Sequence, residues 1–181
     1  LKPGRIPYIN RNLYYFAGKD VWKTLFDLEA MRPGMVLLSA QAPDGDPAWC
    51  DVVTLMTPVA TRPWKAWEAY TALKAAMTQA TVDFACARLP ELRDAIAHTY
   101  AATPLTYRHY TGAPHGAAYG LLKDWRSIMA SHIPARTKFD NLLLTGQNLT
   151  VHGAIGVTLS AAATCSEIVG TEYLAKKIAN A

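Results

Sequence analysis

The sequence predicts an α+β chain, with antiparallel strands and helices first and a strand followed by a glycine-opened helix at the end. Three observations predict it. Two β-rich runs, 36–40 (VLLSA) and 52–59 (VVTLMTPV), flank a loop at 42–47 that is dense in turn formers. Trp64, Trp67, Tyr70, Leu73, Met77, Ala80 and Phe84 recur at spacings of three and four, the mark of one helical face. Near the end, the apolar run 142–144 stops at Thr145-Gly146-Gln147-Asn148, and Gly153-Ala154-Ile155-Gly156 opens a long stretch of small and apolar residues.

Taken in order, residues 6–16 (IPYINRNLYYF) are rich in strand formers and are expected to supply aromatic core, a short strand or a ligand-facing surface. Asp44, Asp46 and Asp51 fit turn chemistry better than a hard-cation site, because no D-x-D-x-D-G pattern is present. The aromatic-edged helix should run to about Arg88 and pack on the sheet, with an apolar cavity wall as the other use of such a face. Pro90 interrupts it, and residues 91–97 suit a further short helix. Residues 98–120 (HTYAATPLTYRHYTGAPHGAAYG) change character: Pro104 is expected to pin an extended segment. Gly112, Gly116 and Gly120 recur every four residues, which is not G-x-G-x-x-G but does permit close backbone approach. Residues 121–140 read as a mixed connector. The last helix is expected to continue past Gly170 to Ile178, with Lys176 and Lys177 favouring its C-terminal dipole.

Composition narrows the function classes. The 181 residues are 51% hydrophobic with a formal net charge of +4. Basic residues are scattered, so a nucleic-acid footprint is not expected. Cys50, Cys86 and Cys165 lie far apart with no C-x-x-C, which argues against a disulfide framework or zinc site and favours a reducing, cytoplasmic setting. Cys165, well inside the last helix, is expected in the core. The histidines show no metal-ligand spacing and the serines no G-x-S-x-G, so no metal is expected and no catalytic residue can be assigned. No secretory signal and no membrane-spanning run is visible. The opening Leu1-Lys2-Pro3-Gly4 reads as a chain entered part-way.

The chemistry concentrates at 141–163. A helix start carries about half a positive charge and several unpaired N–H groups, and glycine lets a flat or anionic ligand sit against them. Close helix–strand packing is the other use of G-x-x-G, and the pattern leaves both open. His152, directly before the helix, can cap it or bond a ligand.

The run LLLTGQNLTVHGAIGVTLSA, with TPLTYRHYTGAPHGAAYG before it, resembles the C-terminal flavin-binding motif of FAD-dependent oxidoreductases of the phytoene desaturase, carotenoid isomerase and retinol saturase (all-trans-retinol 13,14-reductase) family. The stretches WEAYTALKAAMTQATVDFACARLPELRDAI and APDGDPAWCDVVTLMTPV are similar to its substrate domain, so the likeness covers nearly the whole chain. The resemblance implies part of a substrate-binding domain at 1–120, then at 121–181 the C-terminal strand–helix of a Rossmann-like FAD-binding domain. The family's N-terminal G-x-G-x-x-G half is absent from this sequence. It further implies FAD as cofactor, with Gly146, Gln147 and Asn148 near its phosphates and ribityl chain. His152, Gly153, Ala154, Ile155, Gly156 and Val157 would present backbone to the isoalloxazine. Tyr107, Tyr110, Gly116 and Tyr119 would lie near the flavin or an apolar, polyene- or isoprenoid-like substrate.

The implied reaction is desaturation, saturation or isomerisation at carbon–carbon double bonds. The fragment alone is expected to be inactive. Its expected partners are the apolar substrate and either the N-terminal half or further copies of itself. Nucleic acid is not among them, and peripheral membrane contact is compatible with the substrate. The rival reading is a non-redox module that binds an apolar ligand, or a structural fragment.

Overall fold

The computed structural model describes all residues except 29–30, 45–47, 62–63, 65–68 and 181, and all their side chains except those of Phe26 and Ile128. The expected turn at 45–47 and the place of Trp67 therefore lie outside the described residues. The chain divides into two compact units, Leu1–Gly116 and Ala117–Ala181.

The first unit is built on β2 (Met35–Gln41), whose residues alternate between half-buried and buried, with Val36, Leu38 and Ala40 inward. It is the middle strand of an antiparallel sheet, flanked by β1 (Leu13–Phe16) and β3 (Val52–Met56). The register sets Leu13 and Leu55 either side of Leu38, so one face presents a continuous apolar row. Between β1 and β2, the short helix α1 (Val21–Phe26) starts at Asp20, whose carboxylate accepts the Lys23 N–H at 3.0 Å. The small α+β architecture with an antiparallel sheet is thus as the sequence predicts.

The helix α2 (Tyr70–Cys86) covers that row, and Leu38, Ala85, Cys86 and α3 (Leu92–Ala95) close one core cluster. A second cluster joins Ile6, Ala40, Cys50 and Ala95. The buried residues of α2 are Met77, Thr81, Ala85 and Cys86; of the face that its spacing suggested, Met77 is buried, and Tyr70, Leu73, Ala80 and Phe84 are half-buried. Small residues let helix and sheet approach closely, and Phe84 instead lies under the Arg88 guanidinium, 3.5 Å from its ring centroid. Trp64 is buried and meets Tyr70 edge-on at 6.2 Å. Residues 98–103 run without regular structure into α4 (Pro104–Thr111), a helix where the sequence predicts an extended segment. Thr103 is extended, as a residue before proline should be, but it is the N-cap: Thr103 and Thr106 form a reciprocal capping box, Pro104 opens the helix, and Gly112 ends it at φ +67°. A 3-10 turn (Pro114–Gly116) completes the unit.

In the second unit, a 3-10 turn (Trp125–Ser127) and α5 (Ile128–Ser131) occupy the expected connector. The expected strand at 142–144 is a single bridge, Arg136 to Leu143. A strand needs a partner of comparable length, and this unit supplies none among its described residues. The expected helix forms, as α6 (Gly153–Val169), but it stops at Gly170, and α7 (Thr171–Ala179) is separate. Gly170 adopts φ 86°, ψ 142°, a conformation that breaks helical bonding and that glycine alone takes readily.

The burial of α6 is inverted. Gly156 and Ser160 are its buried residues, while Ile155 is 78%, Leu159 56% and Ile168 71% exposed. Cys165 is exposed too, against the expectation of a core position. Small residues make the inward face because the loop and segment under α6 come within backbone distance. Burial pushes the Cys50 and Cys86 thiols up from their ordinary range. A thiol reagent is therefore expected to modify Cys165 first, with Cys50 and Cys86 reacting only as the first unit opens. Rapid labelling of Cys86 in the native protein would contradict this packing.

Candidate functional site

Six of the nine residues expected near a flavin, His152 to Val157, lie at the start of α6, and the other three, Gly146 to Asn148, lead into it along the same loop. The loop is shaped by two left-handed glycines, Gly146 at φ +109° and Gly153 at φ +78°, and a Cβ on either would meet nothing within 4 Å. Gly156 differs: a Cβ there would fall 2.2 Å from the Val151 carbonyl oxygen. Gly156 thus lets the helix start lie on the loop, while Gly146 and Gly153 turn the backbone where space is open.

Two segments are zipped together beneath this loop. The Leu121 N–H donates to Asn148 Oδ1 at 2.9 Å, and His152 Nε2 lies 2.8 Å from the Leu121 carbonyl oxygen. With the carbonyl accepting, the proton sits on Nε2. The His152 ring also stacks on Tyr119, with centroids 5.7 Å apart and planes 27° from parallel. A Cβ on Gly120 would meet Asn148 Oδ1 at 1.9 Å, so glycine is needed for the zip to close. Both polar side chains are therefore spent on shape. His152 is the N-cap of α6 without a side-chain cap bond, so its own side chain does not claim the first-turn N–H groups.

The N-terminal side of the loop is tied to α6 by Thr164 Oγ1, 2.6 Å from the Leu144 carbonyl oxygen. Arg136 grips Glu167 through its carboxylate at 2.8 Å and its carbonyl at 3.2 Å. Lys123 was not singled out from the sequence, where it looks like any surface lysine. Its ammonium donates to the carbonyls of Ser131, Asn148 and Leu149, the last two at 2.7 and 3.0 Å. Next to it, the Arg126 guanidinium holds the Asp124 carboxyl below its usual range.

The residues expected near the substrate fall in both units. Tyr119 joins His152 in the second unit. Tyr107 and Tyr110 sit on α4 in the first, Tyr110 being 80% exposed and edge-on to His109. Gly116, at φ +68°, packs so closely that a Cβ would lie 1.8 Å from the Pro104 carbonyl oxygen. A groove of about 760 Å³ runs along the polar flank of α2, lined by Thr71, Lys74, Thr78, Gln79 and Arg93 among others. None of the expected site residues lines it, nor does the aromatic edge of α2. Among the described residues, no three His, Cys, Asp or Glu gather at metal-binding distance, and no helix is long and apolar enough to cross a membrane.

A flat or anionic group fits the open start of α6: an N-cap side chain that makes no cap bond, two glycines facing open space and, among the described residues, no carboxylate bonded into the loop. This chain is similar to all-trans-retinol 13,14-reductases. It is 36% identical over 83 residues to that of Danio rerio, covering 44% of this chain and 14% of the relative. It is 29% identical over 143 residues to that of Homo sapiens, covering 68% of this chain and 23% of the relative. The Rattus norvegicus protein matches over the same extent at 29% identity. The chain thus spans less than a quarter of the length of these curated relatives. No family model matches it. No solved structure matches it either.

Proposed function

We propose that the chain is the C-terminal portion of an FAD-dependent oxidoreductase acting on carbon–carbon double bonds of an apolar, isoprenoid-like substrate. The observation that carries this reading is the similarity to all-trans-retinol 13,14-reductases over 68% of the chain. Among desaturation, saturation and isomerisation, the relatives' name favours saturation. The open start of α6 supports a cofactor there. Gly146, Gln147 and Asn148 would hold the phosphate and ribityl part. The backbone of His152, Gly153, Ala154, Ile155, Gly156 and Val157 would face the isoalloxazine. Bound FAD supplies the electron-pair chemistry at carbon. This chain's part is to bind and orient: the zip through Leu121, Asn148 and His152 sets the loop, and the helix start favours negative charge beside it. Tyr107, Tyr110, Gly116 and Tyr119 are the proposed substrate-facing set.

The outward apolar face of α6 fits a protein partner, either the remainder of a longer polypeptide or a second copy. A cytoplasmic protein that touches a membrane surface agrees with an apolar substrate. The test is to purify the natural polypeptide that carries these residues, record its visible absorbance, and follow a polyene alcohol under reducing conditions. Flavin bands and loss of polyene absorbance are expected. A protein that takes up no FAD overturns the reading, and apolar-ligand binding without flavin supports the non-redox one.

A further inference from the structure

Lys123 donates to three carbonyls in two separate pieces of chain. Its side chain is half-buried, and its ammonium gives a donor to each of three carbonyls: Ser131 at the end of α5, and Asn148 and Leu149 in the loop before α6. An ammonium has three N–H donors, so its hydrogen-bonding capacity is used in full. A lysine serving only solubility would keep that group in water. The Leu149 carbonyl also accepts the Ile133 N–H at 3.0 Å, and the Leu149 N–H lies 3.3 Å from the Gly146 carbonyl oxygen. Leu149 is itself buried. The ammonium therefore sits at the node that joins the connector, α5 and the loop carrying Gly146, Asn148 and His152.

We propose that Lys123 is a positioning residue for the cofactor loop: it gathers the carbonyls of Asn148 and Leu149 inward and so fixes the loop against which FAD lies. The inference rests on the proposed function. Removing the ammonium takes one donor from each of the three carbonyls; the Leu149 oxygen keeps the Ile133 N–H, while the ties from Leu121 to Asn148 and from His152 to Leu121 do not reach α5. The neutral, shape-similar K123M takes away charge and donors together. K123R keeps the charge.

The experiment compares wild type, K123M, the milder K123Q and K123R in the natural polypeptide. Amide exchange is read at Ile133 and Leu149, and the absorbance band of bound flavin and its retention are read beside it. In K123M, exchange at these two amides should rise about tenfold, the scale of one lost charge-assisted bond. Exchange in α2 should not change, the flavin band should shift, and retention should fall. K123Q should lie between, which decides the matter if K123M does not accumulate, and K123R should recover most of the protection. Unchanged exchange overturns the proposal. So does raised exchange with an unaltered flavin band and retention, which would make Lys123 a scaffold residue only. A wild-type protein without flavin would overturn the proposed function and the cofactor half of this inference, while the exchange comparison would still decide whether Lys123 anchors the loop.

Discussion

Gly116→Ala is expected to destabilise the first unit by about 3 kcal/mol, the sum of a left-handed backbone cost and an overpacking cost. Gly116 holds φ +68°, and its added Cβ would fall 1.8 Å from the Pro104 oxygen and 2.4 Å from the Pro104 carbonyl carbon. Those atoms are backbone at the first turn of α4, so relief requires moving the helix start and its Thr103–Thr106 capping box. Gly112→Ala is the control. Its φ is nearly the same, +67°, but a Cβ there meets nothing within 4 Å. It should cost only the backbone term, about 1–2 kcal/mol. Urea denaturation of both variants measures the difference, and equal losses would show that the contact with Pro104 is unimportant. The packing contact supplies a reason for glycine at 116 that stands whether or not substrate approaches it.

Gly156→Ala should have the second large effect, this time on the cofactor. The new Cβ would lie 2.2 Å from the Val151 oxygen and 2.4 Å from its carbonyl carbon. The loop at 148–152 must then lift from α6, although alanine is the better helix former. Retention of FAD by the natural polypeptide should fall about tenfold, since a repacking cost of 1–3 kcal/mol acts on the loop that the cofactor needs. Gel filtration followed by flavin absorbance measures it. A gain in thermal stability with full flavin content would mean that the loop does not rest on Gly156 as described.

Much of the first unit was legible because burial there follows strand and helix periodicity. The β-rich runs 36–40 and 52–59 mark β2 and β3, and the turn-rich segment between them gives the antiparallel return. The helix α4 was missed although its signals are local. Thr-Pro-x-Thr is both an extended residue before proline and a helix N-cap with proline in the first turn, and the rest of the helix, Tyr-Arg-His-Tyr-Thr, has no apolar stripe. The core-facing side of α2 was legible at Met77 but not at Thr81 and Ala85, because large aromatic residues dominate a periodicity count, whereas these small residues fit the close approach to β2. At the candidate site, the glycine-opened helix was visible from spacing. The zip of Gly120, Leu121, Lys123 and Asn148 was not, because it joins residues 25 to 27 apart through one side-chain oxygen and one ammonium.

If a partner covers the outward apolar face of α6 as proposed, the lifetime of an uncovered copy in a cell depends on the supply of that partner. A helix that hides Gly156 and Ser160 and displays Ile155, Leu159 and Ile168 presents chaperones and proteases with the surface they treat as unfinished. Uncovered copies should be short-lived, and polar replacements at Ile155 or Ile168 should lengthen that lifetime while spoiling assembly. For this stretch, abundance and activity are then expected to move in opposite directions.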